Sequence, residues 1–150
     1  MTGSGNGRQR NKRYLFFYGT LMPRLAPAEI ESTVRQLRRI GRGSVRGQLF
    51  DLGKYPGAVL SPNGPPIKGF VFELPDDPKV LDRLDEYEGF NPAKPGSSLF
   101  VRKRRQAKLD DGRKLACWVY AYNRPVKTAA AVTGGDYLRR RRASSATRPH

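Results

Sequence analysis

Cysteine and histidine are nearly missing from this chain: Cys117 is the one thiol, and His150, the last residue, is the one imidazole. A single cysteine excludes an internal disulfide and any metal site built from several thiolates. A histidine found only at the last position argues against metal catalysis by a histidine cluster and against a serine or cysteine nucleophile paired with histidine. Long apolar runs are absent as well, since none approaches the ~18 residues that a membrane span needs. Residues 1–13 are polar and basic, with no hydrophobic stretch behind them of the signal-peptide kind. The expectation is a soluble, cytoplasmic protein with no membrane contact. Acidic residues are few, 13 against 29 lysines and arginines, which gives a formal net charge of +16.

A charge of that size ordinarily points to nucleic acid or an anionic surface, but its placement matters more than its sum. Four basic residues (Arg8, Arg10, Lys12, Arg13) precede Tyr14, five more (Arg139, Arg140, Arg141, Arg142, Arg148) follow Leu138, and neither flank holds an acid. Basic, Gly/Ser-rich ends of this kind are usually solvated. Residues 1–12 and 139–150 are therefore expected to be flexible tails around a domain at 13–138. Non-specific polyanion contact through the tails is expected as a side property. No helix-turn-helix, zinc-finger or aromatic RNA-platform signature accompanies them. With 150 residues, 37% of them hydrophobic and including seven Phe and seven Tyr, the chain can build one ordinary core.

Residues 13–17 read as a short, almost wholly apolar strand, the pattern of a strand buried on both faces. Pro27 opens a helix in which Ile30, Val34 and Leu37 share a face, with Gly41 as its stop. Residues 44–52, 58–60 and 67–74 read as strands between Pro/Gly turns, and 77–88 as a second helix. After a loop at 91–97, strands at 99–109 and 115–122 flank Asp110-Asp111-Gly112, a hairpin signal. The later strand is apolar or aromatic on both faces and should be central. Its partner carries Arg102 and Arg104 on one face and Lys103 and Arg105 on the other, so it is either an exposed edge or a strand with charges turned into a cavity. The order of elements predicts an α+β fold on a mostly antiparallel, barrel-like sheet.

Two features carry candidate chemistry. Tyr18, Gly19, Thr20 and Leu21 follow the first strand as a tight turn. Glycine there lets backbone approach a ligand, and successive N–H groups in such a turn can converge on a carboxylate; an ordinary turn glycine is the plain alternative. On the second helix at ~100° per residue, Val80, Leu81, Leu84 and Tyr87 form an apolar arc, and Glu88 projects inside it while Asp82, Arg83 and Glu86 point away. A carboxylate withdrawn from water at a helix C-terminus has a raised pKa, as a general acid/base near neutral pH requires. The alternative is a frayed last turn in which Glu88 bends out to solvent.

Three segments, residues 14–21 (YLFFYGTL), 81–90 (LDRLDEYEGF) and 118–138 with its VYAYNRPV and GGDYL, resemble the gamma-glutamyl cyclotransferase-like family in order and spacing. Tyr55-Pro56-Gly57-Ala58-Val59 is similar to a further family segment, so the likeness covers about residues 13–140. The resemblance implies a compact β-barrel with flanking helices. It implies that Tyr18, Gly19, Thr20 and Leu21 hold a γ-glutamyl group and that Glu88 is the catalytic acid/base. The reaction implied is closure of 5-oxoproline with release of an amine, without cofactor or metal. The YGTL form is closer to the γ-glutamylamine branch. One departure stands out: Phe100-Val101-Arg102 occupies the place of the family's Tyr-x-Arg and lacks its hydroxyl. A ligand-binding or regulatory module that keeps the pocket without chemistry is the other reading.

Overall fold

A computed structural model describes residues 12–19, 28–53, 55–126 and 130–137. Thr20, Leu21, the helix opening expected at Pro27, and the basic flanks apart from Lys12 and Arg13 lie outside the described residues.

Strand β1 (Tyr14–Phe17) is apolar throughout because it is covered twice: Phe16 points into a barrel and Leu15 and Phe17 point outward beneath helices. The barrel closes through five strands. Strand β4 (Pro66–Glu73) runs antiparallel beside β1, and β2 (Arg38–Asp51) runs antiparallel beside β4. Strand β5 (Phe100–Leu109) meets β2 at Gly43 and Ser44, and β6 (Lys114–Tyr122) pairs antiparallel with β5. The ring shuts where β6 lies parallel to β1, with Leu15 opposite Trp118. Strands β3 (Pro56–Leu60) and β7 (Ala130–Ala131) pair with the far half of β2. The interior is filled by Phe16, Val45, Leu49, Ile67, Val71 and Val119 among others. Helices α1 (Ala28–Val34) and α2 (Pro78–Glu88) lie on one outer wall, where Ile30, Val34, Val80 and Leu84 join Leu15, Phe17 and Phe72 in a second cluster. The fold is α+β, with a mostly antiparallel barrel and flanking helices.

Two boundaries differ from expectation by more than two residues. Helix α1 ends at Val34, and Leu37 is buried in the turn that follows, its N–H donating to the Val34 carbonyl at 3.0 Å. Gly41 is no helix stop; it sits in β2 opposite Val71, just past a register shift after Arg39. β2 therefore starts at Arg38 and not at 44, because residues 38–43 find hydrogen-bonding partners along β4 that outweigh the weak strand preference of arginine and glycine. β5 fits neither sequence alternative alone. Its Arg102 is largely buried, whereas Lys103, Arg104 and Arg105 are exposed.

Candidate functional site

Helix α2 begins and ends on clear local signals. The Asp77 side chain caps it by accepting from the Lys79 N–H at 3.0 Å, and Pro78 supplies a preset first-turn φ. At the other end Gly89 takes φ 74° and ψ 31°, a left-handed cap open to glycine without strain, and the Phe90 N–H donates to the Asp85 carbonyl at 2.8 Å. The Leu99 N–H donates to the Gly89 carbonyl at 3.1 Å, tying this cap to the segment before β5. The last turn is thus closed and does not fray, so Glu88 is held in place.

Glu88 is half-buried and lines a cavity of about 300 Å³. Tyr18 and Gly19 line the same cavity, joined by Phe17, Tyr55, Phe100 and Tyr120. Among the described residues the lining holds no lysine or arginine, and Glu88 is its one carboxylate. Burial first, and the negative charge of Asp85 second, push the Glu88 carboxyl from 4.5 up to about 8. No other described residue hydrogen-bonds or ion-pairs with it, so its oxygens are available to a ligand.

The Tyr18 hydroxyl is committed to the protein. It donates to the Tyr120 carbonyl at 2.5 Å and accepts from the Ala58 N–H at 3.2 Å, pinning the end of β1 to β6 and β3. Burial, with Glu88 nearby, raises its pKa far above the ordinary value and keeps it protonated. Gly19 lies against the Pro56 ring, where an added Cβ would come within 2.8 Å of Cγ. The glycine therefore lets the turn seat closely against β3. Thr20 and Leu21 fall outside the described residues, so of the five residues read from the sequence three meet at one cavity.

One residue beneath the site escaped sequence reasoning. Asp85, one helical turn before Glu88, is 4% exposed. Arg102 grips it in a fork, Nε to Oδ1 at 2.8 Å and Nη2 to Oδ2 at 3.1 Å, and the Tyr120 hydroxyl donates to Oδ1 at 2.6 Å. The guanidinium also stacks over Trp118, 4.4 Å from the ring centroid. The signal was present in the helical wheel, since Asp85 falls only about 40° beyond Leu81 at the edge of the apolar arc. Phe100, which replaces the expected tyrosine, makes ring contacts with Tyr55 at 5.7 Å and Tyr122 at 5.4 Å and gives the cavity an apolar wall. Cys117 faces the barrel interior, and burial pushes its thiol up to about 12, which removes it as a nucleophile.

Comparison with known proteins agrees with this architecture. Among solved structures the chain is similar to YkqA from Bacillus subtilis (TM-score 0.68, 21% identity, 92% of this chain and 44% of that one), so it spans less than half the length of that protein. It is also similar to an AIG2-like protein from Mus musculus (TM-score 0.57, 19% identity, 77% and 81%) and to a structure described as gamma-glutamyl cyclotransferase (TM-score 0.55, 18% identity, 75% and 67%). These likenesses bear on the fold alone. No curated protein matches the sequence. A family model, gamma-glutamyl cyclotransferase, AIG2-like, matches residues 15–139, which takes in the barrel, both helices and the cavity, and the chain belongs to that family.

Proposed function

We propose that the protein is a gamma-glutamyl cyclotransferase that converts a γ-glutamylamine into 5-oxoproline and a free amine. The observation that carries the reading is Glu88: a carboxyl raised to about 8, without a polar partner among the described residues, on an aromatic cavity shared with Tyr18 and Gly19.

The chemistry needs little beyond orientation and one proton carrier. The substrate's α-nitrogen attacks its own γ-carbonyl carbon, a ring C–N bond forms, and the original amide C–N bond breaks. Glu88, ionised, takes a proton from the α-ammonium and returns it to the departing nitrogen, while the second proton that the ring nitrogen sheds in becoming a lactam N–H passes to solvent, so Glu88 ends ionised and no cofactor is needed. Both reacting groups lie in one molecule, and holding it bent can supply an effective molarity of about 10⁵ M or more. The substrate carboxylate would be met by backbone N–H groups at Gly19, Thr20 and Leu21. The apolar Phe100 and Tyr55 wall favours an uncharged leaving group over one that carries a second carboxylate.

The test is incubation with a panel of γ-glutamylamines, γ-glutamyl amino acids and glutathione, with 5-oxoproline measured. Turnover of an amine substrate that Glu88→Gln reduces by roughly 10² or more is the expected result. Binding of a γ-glutamyl compound with no turnover anywhere in the panel would show a ligand-binding module instead.

A further inference from the structure

Strand register gathers lysines from three strands into one row. Ser44 of β2 lies opposite Lys68 of β4 on one side and opposite Lys108 of β5 on the other, and Lys108 lies opposite Lys114 of β6. Directly paired residues share a face of the sheet. That face is the outside, because the chain neighbours Val45, Ile67, Ala107 and Leu109 all point into the barrel and are buried. All three lysines are exposed, and at ~4.8 Å per strand the row runs about 14 Å around the wall. Arg42 and Arg46, two residues to either side of Ser44 on β2, widen it, and Arg104 extends it along β5.

Ion pairing leaves this wall unneutralised. The ion pairs among the described residues are Arg35–Glu31, Arg38–Glu73, Arg102–Asp85 and Arg113–Asp111, and none involves Lys68, Lys108, Lys114, Arg42, Arg46 or Arg104. The hairpin turn beside the row carries Asp110 and Asp111, the latter already engaged by Arg113. Most other carboxylates, among them Glu29, Glu31, Asp77, Asp82 and Glu86, belong to the helical layer.

We propose that this barrel wall is a docking surface for the phosphodiester backbone of a nucleic acid, distinct from the tails and from the cavity. Three partners could answer a cationic face, and its texture separates them. Stable membrane attachment takes apolar insertion or a lipid chain besides a basic patch, and a stable protein interface ordinarily centres on a buried aromatic or apolar anchor. The large exposed hydrophobics among the described residues are Val59 on β3 and Tyr87 on α2, neither in this row. Phe70 and Trp118 on the same sheet are half-buried and capped by guanidinium groups, Arg39 at 4.1 Å and Arg102 at 4.4 Å. A nucleic acid needs no such anchor, since affinity can come from phosphate contacts and counterion release alone, and a duplex offers one charge per about 1.7 Å of axis. A second copy of this chain, itself at +16, is repelled. Recognition by phosphates alone is indifferent to base sequence.

The experiment uses the full chain, tails included. Binding to a labelled DNA duplex of about 20 base pairs, and to a single-stranded RNA of the same length, is followed by anisotropy across a salt titration. K68Q/K108Q/K114Q is compared with K79Q/R83Q/K94Q, which removes the same charge from exposed positions on α2 and the following loop. The first variant should weaken binding about tenfold or more near 0.1 M salt and flatten the log–log salt slope on duplex by roughly 2 to 3, while the second changes little. Circular dichroism confirms that both are folded. Equal losses in the two variants, or no loss in either, would overturn the proposal and return polyanion contact to net charge or the tails. So would a dependence on the three lysines seen only with phosphatidylserine-containing vesicles and not with nucleic acid.

Discussion

Glu88 and Asp85 sit one helical turn apart on α2 and have opposite fates: Asp85 is buried with a guanidinium and a hydroxyl on its oxygens, and Glu88 faces a cavity with neither. The contrast sets two expectations for pH. If ionised Glu88 starts the reaction, kcat/KM rises with pH through a midpoint near 8. Asp85→Asn removes the negative charge beside Glu88 and also leaves the Arg102 cation unpaired, and both changes favour ionised Glu88. The midpoint should therefore move down, and a pH–rate profile that stays in place would sever the link. Stability carries its own sign. The folded pKa of Glu88 is raised, so the folded state holds a proton that the unfolded state has lost between about pH 4.5 and about 8, and stability falls as pH rises through that window. Glu88→Gln, which cannot ionise, should match the wild type near the lower limit and exceed its melting temperature above the upper one. The Asp85–Arg102 pair differs in kind, with side chains 5% and 15% exposed. Arg102→Met strands a buried carboxylate and should cost about 3 kcal/mol or more in a denaturant titration.

At the scale of elements, the Gly19 turn and β3 act as one unit through the Gly19–Pro56 contact and the Tyr18–Ala58 hydrogen bond. Gly19→Val should lower affinity for 5-oxoproline in calorimetry and also lower the melting temperature, because the new side chain meets a proline ring before it meets a ligand. Unchanged affinity in a folded variant would confine Gly19 to the turn. The same elements show what local sequence could reveal. Helix α2 was legible to within a residue because Asp77, Pro78 and Gly89 are local signals, and the β5–β6 hairpin was legible from Asp110-Asp111-Gly112. The first half of β2 was not, since Arg38, Arg39, Gly41 and Gly43 become a strand only by borrowing partners from β4, which lies about 30 residues away in the chain. Of the site, the helical wheel set Glu88 on the inward arc but left open a frayed end turned to solvent, and the closed cap at Gly89 decides between them. Asp85 could not be paired with Arg102 from the sequence, because their meeting depends on how α2 crosses β5. The sequence left open whether the Arg102 face of β5 was an edge or a lining. The structure makes Arg102 neither, burying it against Asp85 and Trp118 away from the cavity lining, and leaves Lys103, Arg104 and Arg105 exposed.

For the whole molecule, the telling feature is the parallel seam between β1 and β6, stitched by the Tyr18–Tyr120 hydrogen bond between residues 102 positions apart. Strand β1 is synthesised well before both of its flanking partners, β4 and then β6. Until then Leu15, Phe16 and Phe17 form an apolar segment with two unpaired edges, the kind of nascent sequence that invites chaperones or self-association. Barrel closure has to be a late event with a large loop-closure cost, and refolding should proceed in roughly milliseconds to seconds instead of microseconds. A chain stopped at residue 113 should sediment as aggregate while the full chain remains monodisperse in the same buffer. Soluble, cooperatively folded behaviour of that fragment would mean that the seam is dispensable.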